Sequence, residues 1–245
     1  MLYETSPEGG TLILVISVSD QTHLTNFSGD KKAWPVYLTI GNIHSQTHNS
    51  PRKMAVFLVA LLPIPPKFTS KKTKTRGAQQ MMNDEILDVV FSFIFEPLEA
   101  ATKYSKEMCC LDGRVRQCFP VLAAWIADLV ENKTLHGLKR MNCVVCGVPV
   151  EWLGWEAKEV HPVRDYQKYA AVPERYVNTG GEYNVTSLLA VKVKIGRNVF
   201  TRLSCIEIPL LFKPDILHNI YLGLFKHLMQ WIEDFLLGLL KDKVG

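Results

Sequence analysis

Residues 11–19, TLILVISVS, form a β-branched, apolar run that stops at Asp20. Such a run is too short for a membrane span and suits a strand buried on both faces. A buried strand needs strand neighbours, and the next two apolar runs supply them: 34–43 (WPVYLTIGNI) and 54–64 (MAVFLVALLPI). The connections carry turn residues, Gly29-Asp30 in the first and Asn49-Ser50-Pro51 in the second. Three strands with short loops predict an antiparallel meander.

Residues 65–80 break the pattern. Pro65-Pro66 is followed by Lys67, Lys71, Lys72, Lys74 and Arg76, which reads as a basic loop. Asn83 then offers an N-cap with Asp84 and Glu85 in the first turn, and Ile86, Val89, Val90, Phe93 and Ile94 recur at helical spacing through 84–104. Pro97 is expected to kink or interrupt that helix. Asp112-Gly113 marks a turn, and 117–127 reads as a further strand ending at Asp128. The order is therefore β-β-β-α-β in an α/β chain, with one acid closing the first strand and another following the fourth. Residues 133–190 are irregular, 191–212 have room for two short strands, and 215–241 form one long helix that Asp215 can cap. On that helix Leu217, Ile220, Leu224, Leu228 and Trp231 make a stripe expected to pack into the core. The chain thus divides into a core (11–132), an insertion (133–190) and a return to the core (191–245).

A formal charge of +4 over 245 residues permits a nucleic-acid partner without requiring one. No basic-then-apolar leader opens the sequence, so the six cysteines suit a reduced, intracellular protein better than a disulfide framework. The apolar stretch 216–240 carries Lys226, His227, Gln230, Glu233 and Asp234, and no membrane segment is expected.

Four groups of residues could carry chemistry. A carboxylate at the end of a buried strand costs desolvation unless something pairs with it, and a divalent cation is one such partner. Asp20 with Asp128 could hold Mg²⁺ or Mn²⁺ for phosphoryl transfer. On spacing alone, Asp20 as an ordinary turn residue is the more economical reading. Cys143-x-x-Cys146 has the bite of a zinc ligand pair, with His161 the nearest downstream third ligand and His136, His218 and Cys205 as further choices. Asp215 and His218 lie three apart at a helix start and could join a metal site, against the simpler reading of a cap and a packed histidine. The basic run 67–76 could contact DNA phosphates or be a solvated loop.

Taken in order, these pieces resemble one family. VSDQTHLTNFSGDKKAWPVYLTIGNI (18–43) resembles the start of the catalytic core in Plavaka-like transposases of fungal genomes, a group related to the CACTA transposases. Asp20, Thr22, Leu24 and Trp34-Pro35-Val36 stand at the positions of that pattern. CFPVLAAWIADLVENKTLHG (118–137) resembles the second catalytic block, with Asp128 at its aspartate and Cys143 and Cys146 at the C-x-x-C that follows. PDILHNIYLGLFKHLMQW (214–231) resembles the later D-x-L-H helix. The resemblance covers nearly the whole chain. It implies an RNase H-like mixed sheet with a zinc-binding insertion, two-metal DNA cleavage and strand transfer of a DDE transposase, transposon-end DNA as partner, a homo-oligomer as a workable assembly, and a nuclear location. It also calls for a third acid, usually a Glu on a late helix. Asp215 is a stand-in within the chain, and an acid beyond Gly245 is the preferred reading, which makes the chain a core fragment with doubtful activity. The rival from another class is a non-catalytic, zinc-stabilised interaction module for DNA or protein.

Overall fold

The computed structural model describes residues 9–25, 31–65, 73–135, 143–148, 152, 160–163, 200 and 208–241. Its centre is β1 (Thr11–Ser19). On one side β1 pairs antiparallel with β4 (Pro35–Ile40), which pairs antiparallel with β5 (Val56–Leu61). This is the expected meander. Two small strands, β2 (Thr22–His23) and β3 (Lys32–Ala33), form a separate ribbon in the connection between β1 and β4. A short helix α1 (Ser45–His48) and the 3₁₀ turn Pro51–Lys53 join β4 to β5.

On its other side β1 pairs parallel with β7 (Val115–Ala127). The far edge of β7 is shared. Its beginning takes β6 (Lys106–Cys109) as an antiparallel hairpin partner, and its end takes β8 (Phe212–Pro214) as a parallel one. The hairpin turns at Asp112-Gly113, where Gly113 adopts φ 73°, open to glycine without strain. Pro120 falls between the β6 and β8 pairings, where neither strand calls on the N–H that proline lacks. The side-chain amide of Asn42 acts as a local strand partner for the start of β1, accepting from Leu14 N (2.8 Å) and donating to Leu12 O (3.0 Å).

A 32-residue helix, α2 (Thr73–Tyr104), connects the meander to the β6–β7 hairpin and packs on one sheet face. It starts earlier than the sequence suggested. Ala78, Gln79, Gln80, Met81 and Met82 all favour helix, so Asn83 is not a cap but an interior residue whose Oδ1 accepts from Gln79 Nε2 at 3.1 Å. Lys74 and Arg76 therefore lie on helix rather than in a loop, while Lys67, Lys71 and Lys72 fall outside the described residues. The helix also continues through Pro97, on its exposed side, where water can serve the carbonyl freed by the missing N–H. The buried face is rotated from the expected one: Leu87, Phe91 and Phe95 are inside, and Val89 and Phe93 are exposed. Leu87, Phe91 and Phe95 complete the i, i+4, i+8 row that the ridge of a helix presents to a sheet.

The core is aromatic. Trp125 is fully buried and meets Phe91 edge-on with ring centroids 5.5 Å apart, Phe95 at 5.6 Å and Phe200 at 5.3 Å. Phe212 closes the cluster against Phe200 at 5.1 Å. Each such pair is worth about 0.5–1.5 kcal/mol beyond the area it buries.

After β7 comes α3 (Leu129–Leu135), and α4 (Ile208–Leu211) leads into β8. The C-terminal helix exists as expected over most of 215–241. It begins as π-helical turns, Leu217–Phe225, and continues as α5 (Lys226–Lys241). Its stripe is not core. Leu217, Ile220, Leu224, Leu228 and Trp231 are all exposed, because no described element packs across them. The two strands expected within 191–212 fall mostly outside the described residues, and the described end of that stretch is α4 and the start of β8.

Candidate functional site

Strand β7 carries a bulge. Val15 pairs with Leu122, but Ile16 pairs with Ala124, so Ala123 is an extra residue. Its effect is felt at the strand ends. After the bulge, Ser17 lies beside Trp125 and Val18 beside Ile126. Continued by two residues, that register sets Asp20 beside Asp128. Without the extra residue, Ala127 would stand there instead. On the other side of β7, Ala127 pairs with Pro214, and the Asp215 N–H donates to Ala127 O at 3.1 Å, which sets Asp215 level with Asp128. Three aspartates thus close three adjacent parallel strands, β1, β7 and β8, at their carboxyl ends. All three are half-buried.

Each is held locally. Asp128 caps α3: its Oδ1 accepts the Glu131 N–H at 2.6 Å. Asp20 Oδ2 accepts from the Thr22 hydroxyl at 3.3 Å. Asp215 Oδ1 accepts the Leu217 N–H at 3.0 Å, the capping role expected of it.

A fourth acid was not picked out from the sequence. Glu131, in the first turn of α3, is buried, and its carboxyl accepts a hydrogen bond from the Ser19 hydroxyl. Ser19 in turn accepts the Trp125 indole N–H at 2.8 Å. Burial pushes the Glu131 carboxyl up to about 7, and the negative charges of Asp128 and Asp20 push the same way. The Ser19 hydroxyl and the Trp34 indole act against the rise, the indole without closing a hydrogen bond. The signal for Glu131 was present as an acid three residues after Asp128 at a helix start, a pattern that more often marks an exposed first turn.

The cysteine pair forms a tight knuckle. Cys143 and Cys146 bring their sulfurs to 3.6 Å, and the Val145 N–H donates to Cys143 Sγ at 3.4 Å. Two thiolates on one tetrahedral zinc ion stand about 3.8 Å apart, so the spacing fits that chemistry. Cys146 bridges to Val163, and Gly147 N donates to Pro162 O, which brings the segment holding His161 alongside the knuckle. The His161 ring meets Trp152 edge-on at 6.1 Å. The side chain of His218 and the whole of His136 and Cys205 lie outside the described residues. Among the described residues, no three His, Cys, Asp or Glu side chains are grouped closely enough to hold a metal ion by themselves. Among them, too, no helix is long and apolar enough to cross a membrane.

The described arrangement offers a row of carboxylates at one end of a mixed sheet, which suits cation binding beside a phosphate backbone, together with a separate thiol pair. No curated protein matches the chain. A family model, described as Plavaka transposase, matches residues 1–232. With nearly the whole chain matched, and with its strands and strand-end acids in the order just described, the protein belongs to the Plavaka transposase family.

Proposed function

We propose that this chain carries the catalytic core of a DDE-type DNA transposase with an RNase H-like sheet, and that Asp20 and Asp128 are its first two catalytic acids. The observation that carries the reading is the in-register placement of Asp20 and Asp128 at the carboxyl ends of adjacent parallel strands, created by the extra residue in β7. The strand order supports the fold assignment: β5-β4-β1-β7, with β8 added beside the end of β7, is an antiparallel meander continued by two parallel strands. Two carboxylates suit Mg²⁺ or Mn²⁺, which commonly take one or two protein carboxylates and leave remaining positions to water and substrate phosphate. A bound pair of such ions supplies activation of the attacking oxygen and stabilisation of the leaving one. Asp20 and Asp128 would hold the cations, and Asp215, level with them just after β8, is the third acid in this reading. Membership of a transposase family supports DNA as the partner in this reading, and a nuclear location goes with that partner. Lys67, Lys71 and Lys72, ahead of α2, and Lys74 and Arg76, in its first turns, supply positive charge for phosphates in this reading.

Cys143 and Cys146, with His161 and His218 as further ligands, form the zinc site of the insertion in this reading. Zinc analysis of the purified protein tests it: a Cys143→Ser, Cys146→Ser variant should lose the metal that the parent retains.

The catalytic reading is tested by DNA nicking and strand transfer with Mn²⁺ on transposon-end DNA, comparing the parent with Asp20→Ala and Asp128→Ala. Each variant should lose activity by several orders of magnitude. Equal activity in parent and variants would remove Asp20 and Asp128 from the mechanism.

A further inference from the structure

Glu131 touches both strand ends at once. Its backbone N–H is bonded to Asp128 Oδ1, and its carboxyl is bonded to the hydroxyl of Ser19, the residue immediately before Asp20. Neither link is exposed. Glu131 and Ser19 are buried, and Ser19 is itself fixed from beneath by the Trp125 indole N–H. Next along α3, Asn132 ties its side-chain amide to Ala127 O at 2.9 Å, so the end of β7 is held from a second point. A buried carboxyl facing two further carboxylates is costly unless the position is needed. A solvent-facing acid would serve the first turn of α3 equally well and would avoid that cost.

We propose that Glu131 is a positioning residue: it braces the β1 and β7 ends against each other and so fixes the separation of Asp20 and Asp128 for a divalent cation. The inference rests on the proposed metal-binding role of those two aspartates and adds the residue that aligns them. Groups that orient metal-binding carboxylates without touching the metal commonly change affinity by about 10–100-fold when removed.

The experiment is calorimetric titration of the full chain with MnCl₂, with circular dichroism and thermal unfolding run on every protein. Asp20→Asn is the control for the metal site. Glu131→Ala should bind Mn²⁺ about tenfold or more weakly while keeping the parent spectrum. Glu131→Gln keeps an acceptor for Ser19 and the backbone N–H for Asp128, so it should bind within about twofold of the parent. Ser19→Ala, which leaves Glu131 in place but cuts its bond to β1, should be weakened like Glu131→Ala and serves if that variant fails to fold. If Asp20→Asn abolishes binding while Glu131→Ala and Ser19→Ala bind like the parent, the brace is wrong and the metal site stands. Equal loss in Glu131→Gln and Glu131→Ala also overturns it, since a ligand rather than a brace would behave so. If the parent itself binds no Mn²⁺, or Asp20→Asn binds as the parent does, the metal reading fails and the brace falls with it.

Discussion

Helix α2 and the C-terminal helix carry apolar residues at the same helical spacing, yet they end in opposite environments. On α2, Phe91 is 3% exposed and Phe95 2%, both pressed on Trp125 of the sheet. On the C-terminal helix, Trp231 is 64% exposed and its neighbours Leu228 and Phe235 are exposed too. Periodicity declares that a helix has an apolar face. It says nothing about whether another element of the same chain lies within reach to cover it. That depends on topology, and here the sheet spends its described face on α2.

The contrast is broken most forcefully from the α2 side. Phe95→Ala should cost about 3–5 kcal/mol, the usual price of emptying a large aromatic site in a close-packed core. Urea unfolding followed by tryptophan fluorescence measures it. A loss under about 1 kcal/mol would mean that the aromatic cluster is not the centre of the fold.

The same buried side of the sheet also contains Glu131, and there pH is the lever. Its carboxyl titrates at about 7 in the folded chain against 4.5 when unfolded, so the folded state holds the proton more tightly. The resulting stabilisation is fully present below pH 4.5 and is lost as pH rises through about 7. A shift of that size corresponds to about 3 kcal/mol across the window. Glu131→Gln cannot ionise, so stability measured from pH 4.5 to 8 should fall in the parent relative to the variant. Parallel curves for the two proteins would show that the carboxyl is not buried as described.

How far the sequence speaks can be judged residue by residue. The β1 run, its stop at Asp20, the meander, and Asp128 at the end of the later strand were all legible, because apolar runs and turn residues are local signals. The bulge at Ala123 was not. It is a single extra residue in a run of apolar ones, and only pairing with β1 reveals it, although it decides that the register, once continued, brings Asp128 rather than Ala127 level with Asp20. Glu131 was missed for a related reason: its buried hydrogen-bond partner, Ser19, is 112 residues away. Asn83 misled because a strong capping residue sits inside a longer stretch of good helix formers, and the stretch wins. The exposed stripe at 217–231 misled because spacing was taken to guarantee a partner.

Two helix starts extend the comparison at a smaller scale. Asp128 caps α3 beneath the sheet end, and Asp215 caps the first turns of the C-terminal helix. Replacing a capping Asp with Ala typically costs about 1 kcal/mol. Asp128→Ala should show about that loss at low pH. Above pH 7 it should cost less, because removing the Asp128 charge relieves the ionised Glu131. The charges that push the Glu131 carboxyl up are those of Asp128 and Asp20, so the cost of Asp215→Ala should be the same at both pH values. A pH-dependent cost for Asp215→Ala matching that of Asp128→Ala would mean that Asp215 senses Glu131 as strongly as Asp128 does.

The smallest effect belongs to the exposed stripe itself, and it is the sharpest check on the contrast. Trp231→Ala removes one of the largest side chains in the chain, yet at an exposed position. The His227 ring, 6.5 Å away on the same helix, is its aromatic neighbour. Surface replacements away from caps and buried partners usually fall within about 0.5 kcal/mol of neutral, and Trp231→Ala and Leu228→Ala should both do so in urea unfolding of the protein at micromolar concentration. The comparison with Phe95→Ala then isolates burial, since the deleted groups are alike in kind and differ in what surrounds them. A loss of about 2 kcal/mol or more for Trp231→Ala that does not change with protein concentration would place the helix against its own sheet. A loss that shrinks with dilution would place it against a second copy, because stability borrowed from association depends on concentration.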